Sequence, residues 1–467
     1  MPSPRDTFYH AAHPSSPAPT PVTSIASEPT LVKAIGRWSF AALVLNTIIG
    51  TGVFVLPGTL GGTLGWSSMY AWLVAAVLTG TMIFSFAEVA SRFARAGGAY
   101  LYGTAAFGPF IGIQFAWMGY FVRCITAAVQ ANLFTTYLVE LWPAASGRPA
   151  QVAVTAVFIG LQALVNIRSV GSGATVSNVF AIVKLVPLIA FGTLGIAWMA
   201  MGKAVSPAIA TDPTLGGWLN AMVLLMFAYG GFESALIPMA EAKDARRDAP
   251  FALIAGLALV TLVYLAAQLT VLVTLTEPAA TNRPLAASAR VMFGPGGAVL
   301  ITIAALISVY GWVASNMLNV PRLTMAMAQE GALPSFFAKI HPTFRTPYVS
   351  ILIFAAISLA LALQADLLRN LSLSAVSRLL LYGGVCLSLP VFRWRESRGD
   401  LPSGVEPALF RVTGGPFFAA VGVALSLLLA TRMSGSDAIK MAVVIGFGAL
   451  HWLVIRARRG TGIRVGS

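Results

Sequence analysis

Asn46-Thr-Ile-Ile-Gly-Thr-Gly-Val-Phe54 and Phe227-Ala-Tyr-Gly-Gly-Phe-Glu233 interrupt two long apolar runs of this chain. Each places closely spaced glycines where a helix in lipid should be continuous, and a mid-helix Gly weakens it by roughly 1 kcal/mol relative to Ala. The two stretches lie about 180 residues apart, at equivalent places in two blocks of five apolar segments. Paired Gly-interrupted helices in corresponding halves mark an inverted-repeat transporter site. Close helix packing is the competing reading, but neither Gly50 with Gly52 nor Gly230 with Gly231 has the GxxxG spacing. The twofold occurrence favours unwinding.

The surrounding composition fits a membrane. Of 467 residues, 57% are hydrophobic and only 10% charged, with mean hydropathy +0.80. Such a chain cannot cover its surface against water. In lipid, only helices or closed barrels satisfy their backbone groups, and long runs of Ala, Leu, Val and Ile favour helices. The fold class expected is an all-α membrane protein of about 12 spans. They lie near 38–60, 69–91, 107–139, 150–167, 174–201, 217–239, 250–276, 297–327, 347–364, 371–392, 415–432 and 438–456. The third and eighth are long enough to tilt strongly.

Residues 1–30, rich in Pro, Ser, Thr and Ala, read as a disordered cytoplasmic tail with no signal-peptide core. Segments 35–201 and 217–392 form the two expected repeats, 415–456 two further helices, and 457–467 a basic cytoplasmic tail. The net charge of +14 is read through the bilayer rather than as a sign of nucleic acid. With the N-terminus inside, roughly 20 of the basic residues fall in cytoplasmic segments and about 7 outside. An odd span count would misplace the C-terminal arginines. The expected location is therefore the cytoplasmic (inner) membrane, multi-pass, with both termini cytoplasmic. Cys124 and Cys386 lie in apolar stretches, and His10, His13, His341 and His451 share no metal-binding spacing. No metal and no cofactor are expected.

Three motifs in order resemble the bacterial permeases of the amino acid–polyamine–organocation superfamily. Ile49-Gly-Thr-Gly-Val-Phe54 is similar to its first signature. Phe227 to Glu233, followed by Glu241 and a basic-Pro turn at Arg246-Arg-Asp-Ala-Pro250, is similar to its second. Pro321-Arg-Leu-Thr-Met-Ala-Met-Ala-Gln-Glu-Gly-Ala-Leu-Pro334 resembles its segment after the eighth span. The resemblance covers residues of about 35 to 456 and implies a LeuT-type fold of five plus five inverted helices with two C-terminal helices.

Unwinding frees backbone groups toward a cavity. The amides of Thr51 and Gly52 begin a half-helix and suit a carboxylate. The carbonyls of Ile48, Phe227 and Gly230 could accept from an ammonium. The resemblance places substrate carboxylate and amine at these positions, with Ile49 and Gly50 between them and Phe227 as a gate. It also places Asn316 near the pocket, by counting back from Gly331. Lys184, in Asn178-Val-Phe-Ala-Ile-Val-Lys-Leu-Val-Pro187, is an ammonium deep in an apolar segment, which is expensive unless it has a function. The resemblance makes it a proton-coupling residue, with Glu233 the second candidate. Charged Lys184 could tie the first and fifth spans together by bonding freed carbonyls.

Arg123, in Tyr120-Phe-Val-Arg-Cys124, cannot deprotonate, so it is either a structural ion pair with Glu233 or Glu88, or a determinant of specificity for an anionic side chain. Arg378 and Glu88 read as reaching an interface or a neighbour. The function expected is secondary active transport of an amino acid, proton-coupled, with the small-molecule amino acid, protons and the lipid bilayer as partners and no nucleic acid. An amino acid or polyamine exchanger is the alternative. An enzyme embedded in the membrane is disfavoured: no HExxH, GxSxG or intramembrane carboxylate dyad occurs, and no Walker motif suggests ATP.

Overall fold

The structure, a computed structural model, describes residues 36–95, 97–168, 173–208, 214–329 and 333–460. The tail at 1–30, the end of the basic tail at 461–467 and the Glu330-Gly-Ala332 portion of the third motif lie outside these residues. The described chain is helical without strands. Its first half contains α1 (Arg37–Ile48), α2 (Thr51–Leu64), α3 (Ser67–Ala90), α4 (Gly98–Phe107), α5 (Pro109–Leu141), α6 (Arg148–Arg168) and α7 (Gly173–Ala200). Its second half contains α8 (Leu215–Tyr229), α9 (Phe232–Ala235), α10 (Ala245–Thr274), α11 (Pro284–Gln329), α12 (Tyr348–Gln364) and α13 (Leu367–Ser397). Finally come α14 (Gly415–Ala430) and α15 (Gly435–Gly460).

Among the described residues, nine helices are long and apolar enough to cross a membrane, or ten when the bent pair α1 and α2 counts as one span. The apolar helices α12 and α14 have 17 and 16 residues. A 16-residue helix rises about 24 Å, less than the roughly 30 Å hydrocarbon core. The third expected span is α5, and a separate α4 precedes it, ended at Gly108, whose φ of 94° also starts α5. The ten-residue α4 is too short to register as a span. The eighth extends into a 46-residue α11 kinked at Gly294, where φ is 69°. The basic-Pro segment forms the opening turns of α10 rather than a turn: the Asp248 amide bonds the Asp244 carbonyl at 2.8 Å, beginning the helical ladder.

Both interruptions are real breaks. Ile49 and Gly50 leave helical geometry between α1 and α2, which meet at a bend of 49°. Gly230 is extended, and Gly231 takes φ 108°, a left-handed conformation that favours Gly. Packing pairs the half-helices: α2 lies on α8, and α1 on α9, α7 and α10. The glycines also serve close approach, the reading that the spacing argued against. A Cβ on Gly52 would fall 2.8 Å from the Ala228 Cβ and 2.9 Å from its Cα, and one on Gly231 would fall 2.4 Å from the Thr47 carbonyl oxygen. Unwinding and tight packing are therefore one feature: with no side chain between them, each broken backbone abuts the other.

A buried charge network ties one end of the bundle. Fully buried Glu88 of α3 accepts from Arg393 of α13 at 2.7 and 2.6 Å, and from the Val412 amide at 3.0 Å. Arg92 lies 3.5 Å from Glu88 and 2.8 Å from Glu396. Arg246 donates to the Ser91 carbonyl at 2.7 Å and to Glu406 and the Pro407 carbonyl, strapping the segment before α14 over α3. Arg37 pairs with Asp248 at 3.1 Å, joining α1 to α10 at its N-terminal end. At the far end of α5, Glu140 pairs with Arg283 and Arg290.

Two substitutions test this packing. Glu88→Ala leaves Arg393 and Arg92 without their shared carboxylate, and should destabilise the protein by about 3 kcal/mol or more; an unaltered melting temperature in detergent contradicts the network. Gly52→Ala forces overlap with Ala228 and should cost about 1–3 kcal/mol, so equal thermal stability of variant and parent would show that the half-helices are not in close contact.

Candidate functional site

The freed backbone at the breaks is met by side chains from three intact helices. Lys184 of α7 is buried, and its Nζ donates to the carbonyls of Asn46 and Ile49, both at 3.2 Å. Asn178, expected beside it, lies among residues 173–179, whose side chains are outside the described part. Tyr264 of α10 reaches both breaks: its hydroxyl stands 3.2 Å from the Ile48 carbonyl and 3.0 Å from that of Ala228. A phenol has one proton, so it donates to one carbonyl at a time and holds the two half-helix ends within reach of a single atom. Trp72 and Tyr229 pack around its ring with centroids 4.9 and 5.5 Å away.

At the second break, Arg378 of α13 occupies the gap. Its Nη1 donates to the Phe227 carbonyl at 3.5 Å, its Nη2 to Thr126 Oγ1 at 3.2 Å, and its guanidinium lies 5.7 Å from the Phe227 ring centroid. Gly230 admits this approach, because a Cβ there would lie 2.1 Å from Nη1. The Arg378 Nε is 3.6 Å from Glu233, an ion contact longer than a hydrogen bond. Glu233 also accepts from the Gly231 amide at 2.9 Å and from the Tyr382 hydroxyl. Its carboxylate thus folds back over the break that precedes it.

These contacts revise the expected pairings. Arg123 donates to the Gly119 carbonyl at 3.1 Å and to Ser234 Oγ at 3.2 Å, while the ion partner of Glu233 is Arg378. Glu88 belongs to the network at the end of the bundle, paired with Arg393. Arg378, read as reaching an interface, is central and only 3% exposed. Asn316 donates to the Trp312 carbonyl at 3.0 Å, one turn back in its own helix. Phe227 is buried with its ring under Arg378. At the first break, Thr51 donates to Gln130 of α5 at 2.8 Å, and Gln130 also packs against Gly50. The first amides of α2, at Thr51 and Gly52, have no carbonyl below them in their own helix.

Gln130, Tyr264 and Tyr382 were not singled out from the sequence. One signal was present: Arg123, Thr126 and Gln130 share a face of α5, and Ser374, Arg378 and Tyr382 recur at every fourth residue of α13. A polar stripe on an otherwise apolar helix faces the bundle interior. Thr126 and Ser374, 2.9 Å apart, join the two stripes. Tyr264 carries no such signal, since an isolated tyrosine in an apolar run reads as ordinary packing. Beyond the breaks, a cavity of about 290 Å³ opens between α5, α6 and α13, lined by Asn132, Thr135, Arg148, Thr155 and Asp366, and reaches Val55, one turn past Thr51.

Comparison with known proteins accords with these broken helices. The profile of the amino acid permease family matches residues 35–450. A serine/threonine exchanger of Bacillus subtilis is 29% identical over 75% of this chain and 81% of its own length. The large neutral amino acids transporter small subunit 2 of Mus musculus is 27% identical over 81% of this chain and 73% of its own. A methylthioribose transporter of Bacillus subtilis is 26% identical over 68% and 72%. With a family match that spans both breaks and nearly every described helix, the chain belongs to the amino acid permease family of membrane transporters.

Proposed function

We propose that this protein is a proton-coupled secondary transporter of an amino-acid-like solute, which binds between the broken centres α1–α2 and α8–α9. The proposed topology has twelve spans in a five-plus-five inverted repeat with two further helices, in the cytoplasmic membrane with both termini inside. The charge bias of the loops and the paired breaks support it. The α2 amides at Thr51 and Gly52 receive a carboxylate, and Phe227 closes over the solute.

The observation that carries the coupling is Lys184, whose Nζ spans the Asn46 and Ile49 carbonyls. A protonated lysine has three donors and holds these carbonyls strongly; a neutral one holds them weakly and releases α1 from α7. Protonation from one side and release to the other would then couple the position of α1 to the proton gradient. Glu233 is the second candidate. Its ion contact with Arg378 and its two hydrogen bonds favour a fixed carboxylate, which supports giving the moving proton to Lys184. An exchange mode is the second reading, supported by the relative named a serine/threonine exchanger.

Reconstitution in liposomes separates these readings. An inward proton gradient should drive accumulation without sodium, and Lys184→Ala should lose accumulation while still binding solute. Sodium-dependent uptake, or unchanged proton-driven accumulation by the alanine variant, refutes the coupling role. Uptake that requires solute preloaded inside supports exchange instead.

A further inference from the structure

Among the described residues, four buried acidic or basic side chains surround the two breaks: Lys184, Arg123, Arg378 and Glu233. Three are basic and one is acidic. Among the described residues, the acids Glu88, Glu140 and Asp248 nearer the bundle ends pair elsewhere: Glu88 with Arg393, Glu140 with Arg283 and Arg290, Asp248 with Arg37. Arginine stays protonated in proteins. Even with Lys184 neutral, two guanidiniums therefore share one carboxylate, leaving one positive charge in excess; with Lys184 protonated the excess is two. Charge held away from water is strongly disfavoured unless it is countered, and intramembrane charges come paired.

A second observation concerns where the excess sits. Two of the three carbonyls expected to receive a substrate ammonium, those of Ile48 and Phe227, already face resident donors. Lys184 covers Asn46 and Ile49, Tyr264 covers Ile48 and Ala228, and Arg378 covers Phe227. Arg378 lies in the gap itself, against the bare face of Gly230. Its Nε has no hydrogen-bond acceptor among the described residues, Glu233 being 3.6 Å away. A zwitterion brings no net charge to balance this cluster. A solute of net negative charge does, and a carboxylate matches the planar fork of a guanidinium.

The geometry points to an anionic solute as the class this site takes, one carboxylate lying against Arg378 and, for a dicarboxylate, the other at the α2 amides. This rests on the transport reading above and differs from the neutral solutes in the names of two relatives. Both an acidic amino acid and an amine-free carboxylate have the required chemistry.

The test is binding of glutamate, glutamine and glutarate to the purified full chain in lipid nanodiscs. Glutamine is nearly the shape of glutamate without the charge, and glutarate lacks the amine. Glutamate should bind at least tenfold more tightly than glutamine. Glutarate binding as tightly as glutamate assigns the site to carboxylates at large, and weak glutarate binding assigns it to acidic amino acids. Arg378→Gln leaves Arg123 and Glu233 as one charge each and should bring the glutamate-to-glutamine ratio close to one, while Arg378→Lys should preserve it. Should the glutamine variant not fold, Arg123→Gln removes the same surplus charge and should narrow the ratio likewise. Glutamine binding as tightly as glutamate to the parent protein overturns this inference and leaves amino acid transport standing. Binding of none of the three overturns this inference, and failure of the full set of neutral and acidic amino acids to bind overturns the transport reading as well.

Discussion

Within a membrane, a backbone carbonyl that leaves its helix must find a donor inside the protein, because lipid offers none. The architecture at the centre of this chain follows from that constraint. At the breaks Ile49–Gly50 and Gly230–Gly231, the carbonyls of Asn46, Ile48, Ile49, Phe227 and Ala228 lie within reach of side chains from unbroken helices: Lys184 from α7, Tyr264 from α10 and Arg378 from α13. The intact helices act as a frame that supplies donors, and the broken ones supply a backbone that can also address a solute. Glycine makes this possible twice over, by permitting the left-handed turn at Gly231 and by letting α2 approach Ala228 at Gly52.

The arrangement places charge where it can move something. Lys184, Arg378 and Tyr264 each bond the end of a half-helix. At the bundle end, the Glu88–Arg393 network and the Arg37–Asp248 pair join α3, α13, α1 and α10. Arg37 is half exposed, and its pair with Asp248 is open to solvent in a way that Glu88, fully buried, is not. The first contact is therefore the weaker and more readily broken of the two.

Much of this was legible in the sequence because the signals were physical exceptions. Glycines grouped in the middle of apolar runs, and a lysine in lipid, are costly features that mark function. Composition was enough for an all-helical membrane fold. What the sequence hid were contacts made across the bundle. Tyr264 looks like any tyrosine in an apolar run, and only the fold brings its hydroxyl to the carbonyls of Ile48 and Ala228, which lie far apart along the chain. Arg378 and Arg123 were both visible as intramembrane arginines, but the sequence offered Glu233 as a partner to Arg123 and placed Arg378 at an interface, whereas the geometry pairs Glu233 with Arg378. Asn316 shows the opposite limit: its placement near a pocket came from counting along a resemblance, while its amide bonds the preceding turn of its own helix. Short elements escaped too, since α4, with ten residues, lies below the length at which hydropathy is informative.

The central claim is that solute binds at the paired breaks. Hydrogen exchange of the amides from Thr51 to Val53 and of Phe232 and Glu233, followed with and without saturating solute, addresses it most directly, because these amides open the half-helices α2 and α9, where no carbonyl of the same helix precedes them. The account predicts that saturation slows exchange at both segments together. Slowed exchange confined to other helices, with the two breaks unchanged, would contradict it.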